Sequence, residues 1–262
     1  HHIIPNLTRL YKASLLLGHL PTKWAEVKVV FIPKVGKKPE QLPKSYRPIS
    51  LSSFFLKTME KIVDQYIREY NLAKFPLHRL QFAYQQGKST ETAIHSLVTV
   101  IEKAIESKQI ALCAFIDISG AFDNTSYEAI HNALYLKEVP EPITRWIIFM
   151  LKSRTISTEL GGTIKSIKAT RGCPQGGILS PLLWTLVIDE LLHKLNNLGF
   201  HTQGYADDLV VYVLGWHEET ISDRMQQALT IINKWCTEKG LSINPSKTTL
   251  VPFTRRKNIN LK

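Results

Sequence analysis

Apolar residues recur at helical spacing along much of the chain. Between Pro5 and Gly18, Leu7, Leu10, Tyr11 and Leu15 line one face, and Gly18 stands where a left-handed C-cap is needed. Leu56, Met59, Ile62, Val63, Tyr66, Ile67 and Tyr70 form a stronger stripe. Ser89 or Thr90 is placed to cap a helix running to about Lys108. Helices are also expected over Ser126–Leu136, over Ile143–Leu151, from Ser180-Pro181 to Gly199, and over Glu218–Lys239 before Gly240.

Strand patterns interleave with these helices. Trp24–Pro33 is rich in valine and carries Phe31 and Ile32; a basic loop, Lys34–Pro39, follows it. Ala111–Ile118 is an apolar run broken only by Asp117, the pattern of a buried strand with an acid near its C-terminal end. Thr155–Leu160 and Thr163–Ala169 flank Gly161-Gly162, a hairpin signal. A second hairpin is expected over His201–Leu214, with Ala206-Asp207-Asp208 at or near its turn, and a short third over Leu241–Phe253. The irregular order favours an α+β fold over a doubly wound parallel sheet.

At 262 residues and 44% hydrophobic, the chain can bury one large core or two modest ones. No run approaches the roughly 20 apolar residues of a membrane helix, so no membrane partner is expected. The opening, His1-His2-Ile3-Ile4-Pro5, has neither an initiator Met nor a leader layout and suggests a piece of something longer. A net charge of +11 favours a polyanionic partner, and no long basic amphipathic helix points to a membrane surface. Cys113, Cys173 and Cys236 lie far apart without metal spacing, which suggests reduced, buried thiols and an intracellular setting.

The informative acids are Asp117 and the pair Asp207-Asp208, each beside strongly apolar sequence. Carboxylates gathered at strand ends repel one another and shift toward protonation. A divalent cation removes that penalty, and Mg²⁺ favours such oxygen ligands. Two ions, roughly 3.5–4 Å apart, can activate a 3′-hydroxyl and stabilise a leaving pyrophosphate. An isolated Asp-Asp in a hairpin is more often turn chemistry; the surrounding blocks reverse that judgement here.

Those blocks are Phe115-Ile-Asp117-Ile-Ser-Gly-Ala-Phe122-Asp123, Gly172-Cys-Pro174-Gln175-Gly176-Gly177 and Tyr205-Ala206-Asp207-Asp208. In order and spacing they resemble reverse transcriptases. The flanks Phe31-Ile-Pro-Lys34, Tyr46-Arg47-Pro-Ile-Ser-Leu51 and Gly240-Leu-Ser-Ile-Asn-Pro-Ser-Lys247-Thr resemble the non-LTR, LINE-like retrotransposon branch. The resemblance spans nearly the whole chain.

It implies a right-hand polymerase fold in which a palm with a small antiparallel sheet packs on helices beside mixed fingers. Residues 1–109 would be fingers with an N-terminal helical extension. Residues 110–262 would be palm, with a fingers-derived segment near 140–170. A primer-grip hairpin, a thumb, an upstream endonuclease and an RNase H segment are not visible in these residues. The implied activity is RNA-directed DNA polymerisation with two Mg²⁺ ions, Mn²⁺ being a possible substitute. The implied partners are an RNA template, a DNA primer and dNTPs, and the implied setting is the nucleus.

For the site, the resemblance makes Asp117 and Asp207 metal ligands, Asp208 a weaker third, and the Ile118 carbonyl a further ligand. Phe122 would lie under the incoming sugar and exclude a 2′-hydroxyl by clash, with core packing as the alternative. Gly120 and Ala121 would offer main-chain N–H groups to the triphosphate. Gln175 and the glycines after it, Gly176 and Gly177, would lie against the nascent base pair, with a plain turn residue as the alternative for Gly177; Gly176, Tyr205 and Ala206 would contact template or primer. Lys34 and Arg47 would hold phosphates. Lys247 would protonate the departing pyrophosphate, with a solvated strand-end lysine as the alternative. Asp123 is placed instead to cap the next helix. Gly87-Lys88-Ser89-Thr90 imitates the end of a P-loop, but Phe82 stands where that motif needs glycine.

Two other readings remain open from sequence. One is an RNA-dependent RNA polymerase of related palm, which Phe122 and Ala206 argue against. The other is a degenerate copy that binds nucleic acid through charge alone.

Overall fold

The computed structural model describes residues 3–34, 45–257 and 259. In chain order, helix α1 (Ile3–Leu17) and the single turn α2 (Thr22–Ala25) lead into β1 (Glu26–Pro33) and β2 (Tyr46–Leu51). Helix α3 (Phe54–Tyr66) continues through a π-helical turn, Ile67–Asn71, into α4 (Leu72–Lys74). Next come α5 (Thr90–Glu106), β3 (Ile110–Ser119), α6 (Ala121–Asn124), α7 (Tyr127–Leu136) and α8 (Glu141–Ser153). The hairpin β4 (Thr155–Leu160) and β5 (Thr163–Lys168) precedes α9 (Ser180–Asn197), β6 (His201–Tyr205) and β7 (Asp208–Gly215). Then follow α10 (Glu218–Glu238), β8 (Ser242–Ile243) and β9 (Thr249–Phe253). The mixture is α+β, as expected. Residues 35–44, which hold most of the expected basic loop, lie outside the described residues.

These elements form two compact units, each built from two stretches of chain. One comprises His1–Pro76 with Phe122–Leu183, the other Leu77–Ala121 with Trp184–Lys262.

The first unit holds a sheet of order β2-β1-β4-β5. β1 and β4 run parallel at Val27 and Ile156, and the other pairs are antiparallel. Gly161 and Gly162, at φ +56° and +76°, form the two-residue turn that the sequence signalled. Trp24 and Ala25, expected at the start of β1, instead close the turn α2. The Trp24 indole is buried against Tyr11 and stacks on Phe55 at 6.1 Å. It contributed apolar weight to the strand pattern without belonging to the strand. Of the α3 stripe, Leu56, Met59, Val63 and Ile67 are buried, whereas Tyr70 is 60% exposed. Ile62, from the same stripe, is 50% exposed.

The second unit holds an antiparallel sheet of order β6-β7-β3, with β8 and β9 both on the free edge of β3. Helix α5 packs on one face, where Ile101 and Ala104 meet Ala111, Cys113, Val210 and Tyr212. Ser89 caps this helix in a reciprocal box with Thr92. Helix α10 packs on β7 and β3 and buries Ile221, Met225, Ile232 and Trp235. The hairpin expected over Leu241–Phe253 does not form. β8 and β9 each pair antiparallel with β3, Ile243 facing Ile118 and Thr249 facing Phe115, and a turn over residues 244–248 separates them.

All three cysteines are free and buried. Burial pushes Cys113 and Cys173 up to about 12 and Cys236 to about 11, so none is a ready thiolate.

Candidate active site

The acids are positioned by the register of the second sheet. Asp117 on β3 is the direct cross-strand partner of Asp208 on β7, which in turn faces Tyr205 on β6. Cross-strand partners project to the same face, with Cβ atoms roughly 4.5–5.5 Å apart. Tyr205, Asp208 and Asp117 therefore share the face that carries Gln203, Val210 and Phe115, on the α5 side. Asp207 lies in the two-residue turn between β6 and β7, and its carbonyl accepts a 3.4 Å hydrogen bond from the Ile118 N–H.

That turn is held firmly. Ala206 adopts φ +55°, a conformation that L-residues other than Asn and Asp rarely take. Its carbonyl accepts a 2.6 Å hydrogen bond from the buried Trp184 indole. Outside β6, residues 80–82 add a short parallel bridge. Gly204 donates to the Leu80 carbonyl at 3.0 Å, and Phe82 donates to the Gly204 carbonyl at 2.9 Å. Lys88 donates to the Arg79 and Gln81 carbonyls, a local role that leaves no P-loop at Gly87–Thr90.

Asp117 already faces a cation. The Lys247 ammonium lies 2.7 Å from its Oδ1, and the Asn244 side-chain amide donates to its Oδ2 at 3.2 Å. The Asp208 carboxyl is pushed up by burial, then by the charges of Asp207 and Asp117, with Lys247 opposing the rise. Among the described residues, no group of three or more carboxylate, imidazole or thiol side chains stands ready-made to hold a metal. The oxygen donors still suit a hard divalent cation, because Asp117 and Asp208 are in register and Asp117 accommodates an ammonium. A cavity of about 490 Å³ opens beside Asp117, Asp208 and Lys247, with apolar walls that include Leu97, Phe115 and Val210.

Gly120 (φ +59°) and the buried Ala121 follow β3 in this second unit. The remaining expected residues belong to the first unit. Arg47 is exposed on β2 and pairs with Ile32 on β1, and the Lys34 N–H donates to the Ser45 carbonyl. Phe122 is half-buried in α6, and its carbonyl accepts from the Cys173 N–H at 2.6 Å. Ser50, three residues beyond Arg47, donates its N–H to the Gln175 carbonyl at 2.7 Å. Main-chain bonds thus join the Arg47 strand, the Gln175 loop and the Phe122 turn. Gly176, at φ +103°, passes so close that a Cβ would stand 3.1 Å from the Ser50 carbonyl oxygen.

Three residues near the acids were not singled out from sequence. Asn244 lies inside the block that ends in Lys247, but its partner Asp117 is 127 positions away. Trp184 reads as one more apolar position of α9, and nothing local signals its bond to Ala206. Tyr84, at φ +57°, feels the charge of Asp207 after the larger effect of its own burial.

The α+β fold is that of a known family, and comparison with known proteins names it. The chain belongs to the reverse transcriptase (RNA-dependent DNA polymerase) family, whose model matches residues 32–258. It is 30% identical over 246 residues to the "Putative 115 kDa protein in type-1 retrotransposable element R1DM" of Drosophila melanogaster, covering 94% of this chain and 23% of that protein. It is 29% identical over 254 residues to the "Probable RNA-directed DNA polymerase from transposon BS" of the same species, covering 95% and 28%. These relatives bear out the resemblance to the non-LTR branch, and the chain spans about a quarter of their length. Among solved structures, telomerase from Candida tropicalis in complex with a TWJ fragment of telomeric RNA superposes with a TM-score of 0.66 at 15% identity. That match covers 95% of this chain and 44% of the telomerase chain, and it is a likeness of fold. Among the described residues, no helix is long and apolar enough to cross a membrane.

Proposed function

We propose that this chain carries the polymerising centre of a retrotransposon reverse transcriptase, adding dNTPs to a primer 3′-hydroxyl on an RNA template. The observation that carries the reading is the register of Asp117 against Asp208 beside the Asp207 turn, in a chain of this family. The second unit would serve as the palm. The sheet of the first unit, with Arg47 and Lys34, would serve as fingers.

Asp117, Asp207 and Asp208 would hold Mg²⁺, with Mn²⁺ as a substitute and the Ile118 carbonyl as a further ligand. Bound there, the ions would neutralise phosphate charge and lower the cost of ionising the 3′-hydroxyl. Lys34 and Arg47 grip the triphosphate, and the Gly120 and Ala121 N–H groups add to that grip. The Phe122 ring occupies the space that a 2′-hydroxyl would need. Gln175 and Gly176 support the new base pair, and Tyr205 and Ala206 support the primer end.

As the 3′-oxygen bonds to the α-phosphorus, the bond to pyrophosphate breaks. The hydroxyl proton passes to solvent water, and Lys247 gives a proton to the leaving group. Lys247 must first release Asp117, which makes its ion pair a resting arrangement of the site.

The test uses the native full-length protein on an RNA template with a DNA primer. Divalent-cation-dependent incorporation of dNTPs, with rNTPs strongly disfavoured, is expected. Equal use of rNTPs would favour an RNA polymerase. Salt-sensitive nucleic-acid binding without any incorporation would favour a degenerate copy that binds through charge.

A further inference from the structure

Two of the most deeply buried ionisable side chains lie in the first unit, outside the acid cluster. Glu60 on α3 is 1% exposed and Arg154, just after α8, is 3% exposed. Both bond to main chain, and between them they reach the two ends of one loop. Arg154 donates Nε to the Leu151 carbonyl at 3.0 Å, and Nη2 to the carbonyls of Arg171 (3.4 Å) and Gly172. Glu60 Oε2 accepts the Ile178 N–H at 3.2 Å.

Between these anchors a series of hydrogen bonds fixes the backbone. Gly172 donates to the Thr125 carbonyl at 2.8 Å and Cys173 to that of Phe122; the Gln175 carbonyl accepts from Ser50. The Pro174 carbonyl accepts from the Gly177 N–H at 2.9 Å and from the Ser180 hydroxyl at 2.8 Å. A Cβ on Gly172 would fall 2.3 Å from the Asp123 carbonyl oxygen, so the loop is seated without slack.

Fold stability alone gives little reason to bury ionisable side chains here. Well-packed apolar residues usually serve as well or better in such positions. A guanidinium offers five donors in a rigid fork, which suits several carbonyls that must keep one arrangement.

We propose that Arg154 and Glu60 are positioning residues that clamp the Gly172–Ile178 loop and thereby set how tightly, and with which sugar, a nucleoside triphosphate binds. The proposal rests on the reading of Phe122 and Gln175 as nucleotide-contacting residues. Neither Arg154 nor Glu60 touches the substrate. Arg154 acts through the Gly172 carbonyl, and Glu60 through the Ile178 amide.

The test has two arms on the native full-length protein. In hydrogen exchange of the wild type, the amides of Gly172, Cys173 and Ile178 should exchange as slowly as those of β1. Fast exchange there overturns the clamp, whatever any variant does. In steady-state kinetics, Arg154→Lys and Glu60→Leu should raise the dNTP KM about tenfold and lower dNTP-over-rNTP preference, with kcat within about threefold. Glu60→Gln, which keeps a carbonyl acceptor for Ile178, should rescue KM and preference.

Folded Arg154→Lys and Glu60→Leu proteins with wild-type KM and preference would overturn the proposal. Should Arg154→Lys fail to fold, the Glu60 pair and the exchange pattern still decide it. A wild-type protein that incorporates no nucleotide sinks the polymerase reading, and this proposal with it. An active wild type with unmoved variants sinks the clamp alone.

Discussion

The Lys247 ammonium lies 2.7 Å from Oδ1 of Asp117, the acid that faces Asp208 across the sheet. A partly exposed ion pair of this kind contributes about 1 kcal/mol, and a cation entering the site must displace it. Lys247→Met should therefore strengthen Mn²⁺ binding about fivefold, read by electron paramagnetic resonance of free Mn²⁺. It should at the same time slow nucleotide addition, because the proton donor is gone. Weaker Mn²⁺ binding in this variant would mean that Lys247 supports the cation site.

Phe122 is tied to the Gln175 loop through its own carbonyl, a bond that no side-chain change removes. Phe122→Ala should keep that geometry while opening space beside the sugar. Ribonucleotide incorporation is expected to rise by roughly ten- to a hundredfold, since the only barrier lost is a clash. Unchanged sugar preference would assign Phe122 to packing.

Glu60 gives the stability of the fold a defined pH dependence. Burial raises its carboxyl from 4.5 to about 7, with the Ile178 hydrogen bond only partly opposing the rise. A raised folded-state value means that the contribution is complete below about pH 4.5 and is lost as pH climbs through about 7. The loss amounts to about 3 kcal/mol. Wild-type protein should melt several degrees higher at pH 5 than at pH 8 relative to Glu60→Gln, whose side chain does not ionise. Parallel melting curves for the two proteins would contradict a neutral buried Glu60.

Gly172 and Gly161 both have positive φ but differ in what surrounds them. A methyl at Gly172 would meet the Asp123 backbone, whereas nothing lies within 4 Å of the Gly161 position. Gly172→Ala should cost about 2–5 kcal/mol by denaturant unfolding. Gly161→Asn, a residue that tolerates this turn, should stay within about 1 kcal/mol of wild type. Similar costs at both positions would contradict the tight seating of the Gly172 loop.

Local pattern carried most of the elements. The 3.6-residue stripes of α3, α5 and α10, the Gly161-Gly162 turn and the Asp117 strand all appeared where periodicity and caps put them. Failures arose where a residue's partner is distant in sequence. Trp24 is apolar because it packs on Tyr11 and Phe55, so it lengthened the expected strand. β8 and β9 resemble a hairpin on their own, yet their hydrogen bonds go to β3, more than a hundred residues earlier. The acid site shows the same division. The motif names the carboxylates, whereas the clasp of Asn244 on Asp117 and of Trp184 on Ala206 exists only once the chain has folded.

The most direct measurement compares RNA-templated dNTP addition by the native full-length protein with that by Asp207→Asn. Removing one anionic oxygen at the turn should forfeit several kcal/mol of charge stabilisation, roughly a thousandfold in rate, while hydrogen exchange across β6 and β7 stays unchanged. Addition at the wild-type rate by a folded Asp207→Asn protein would show that these acids do not hold the reacting metal ions.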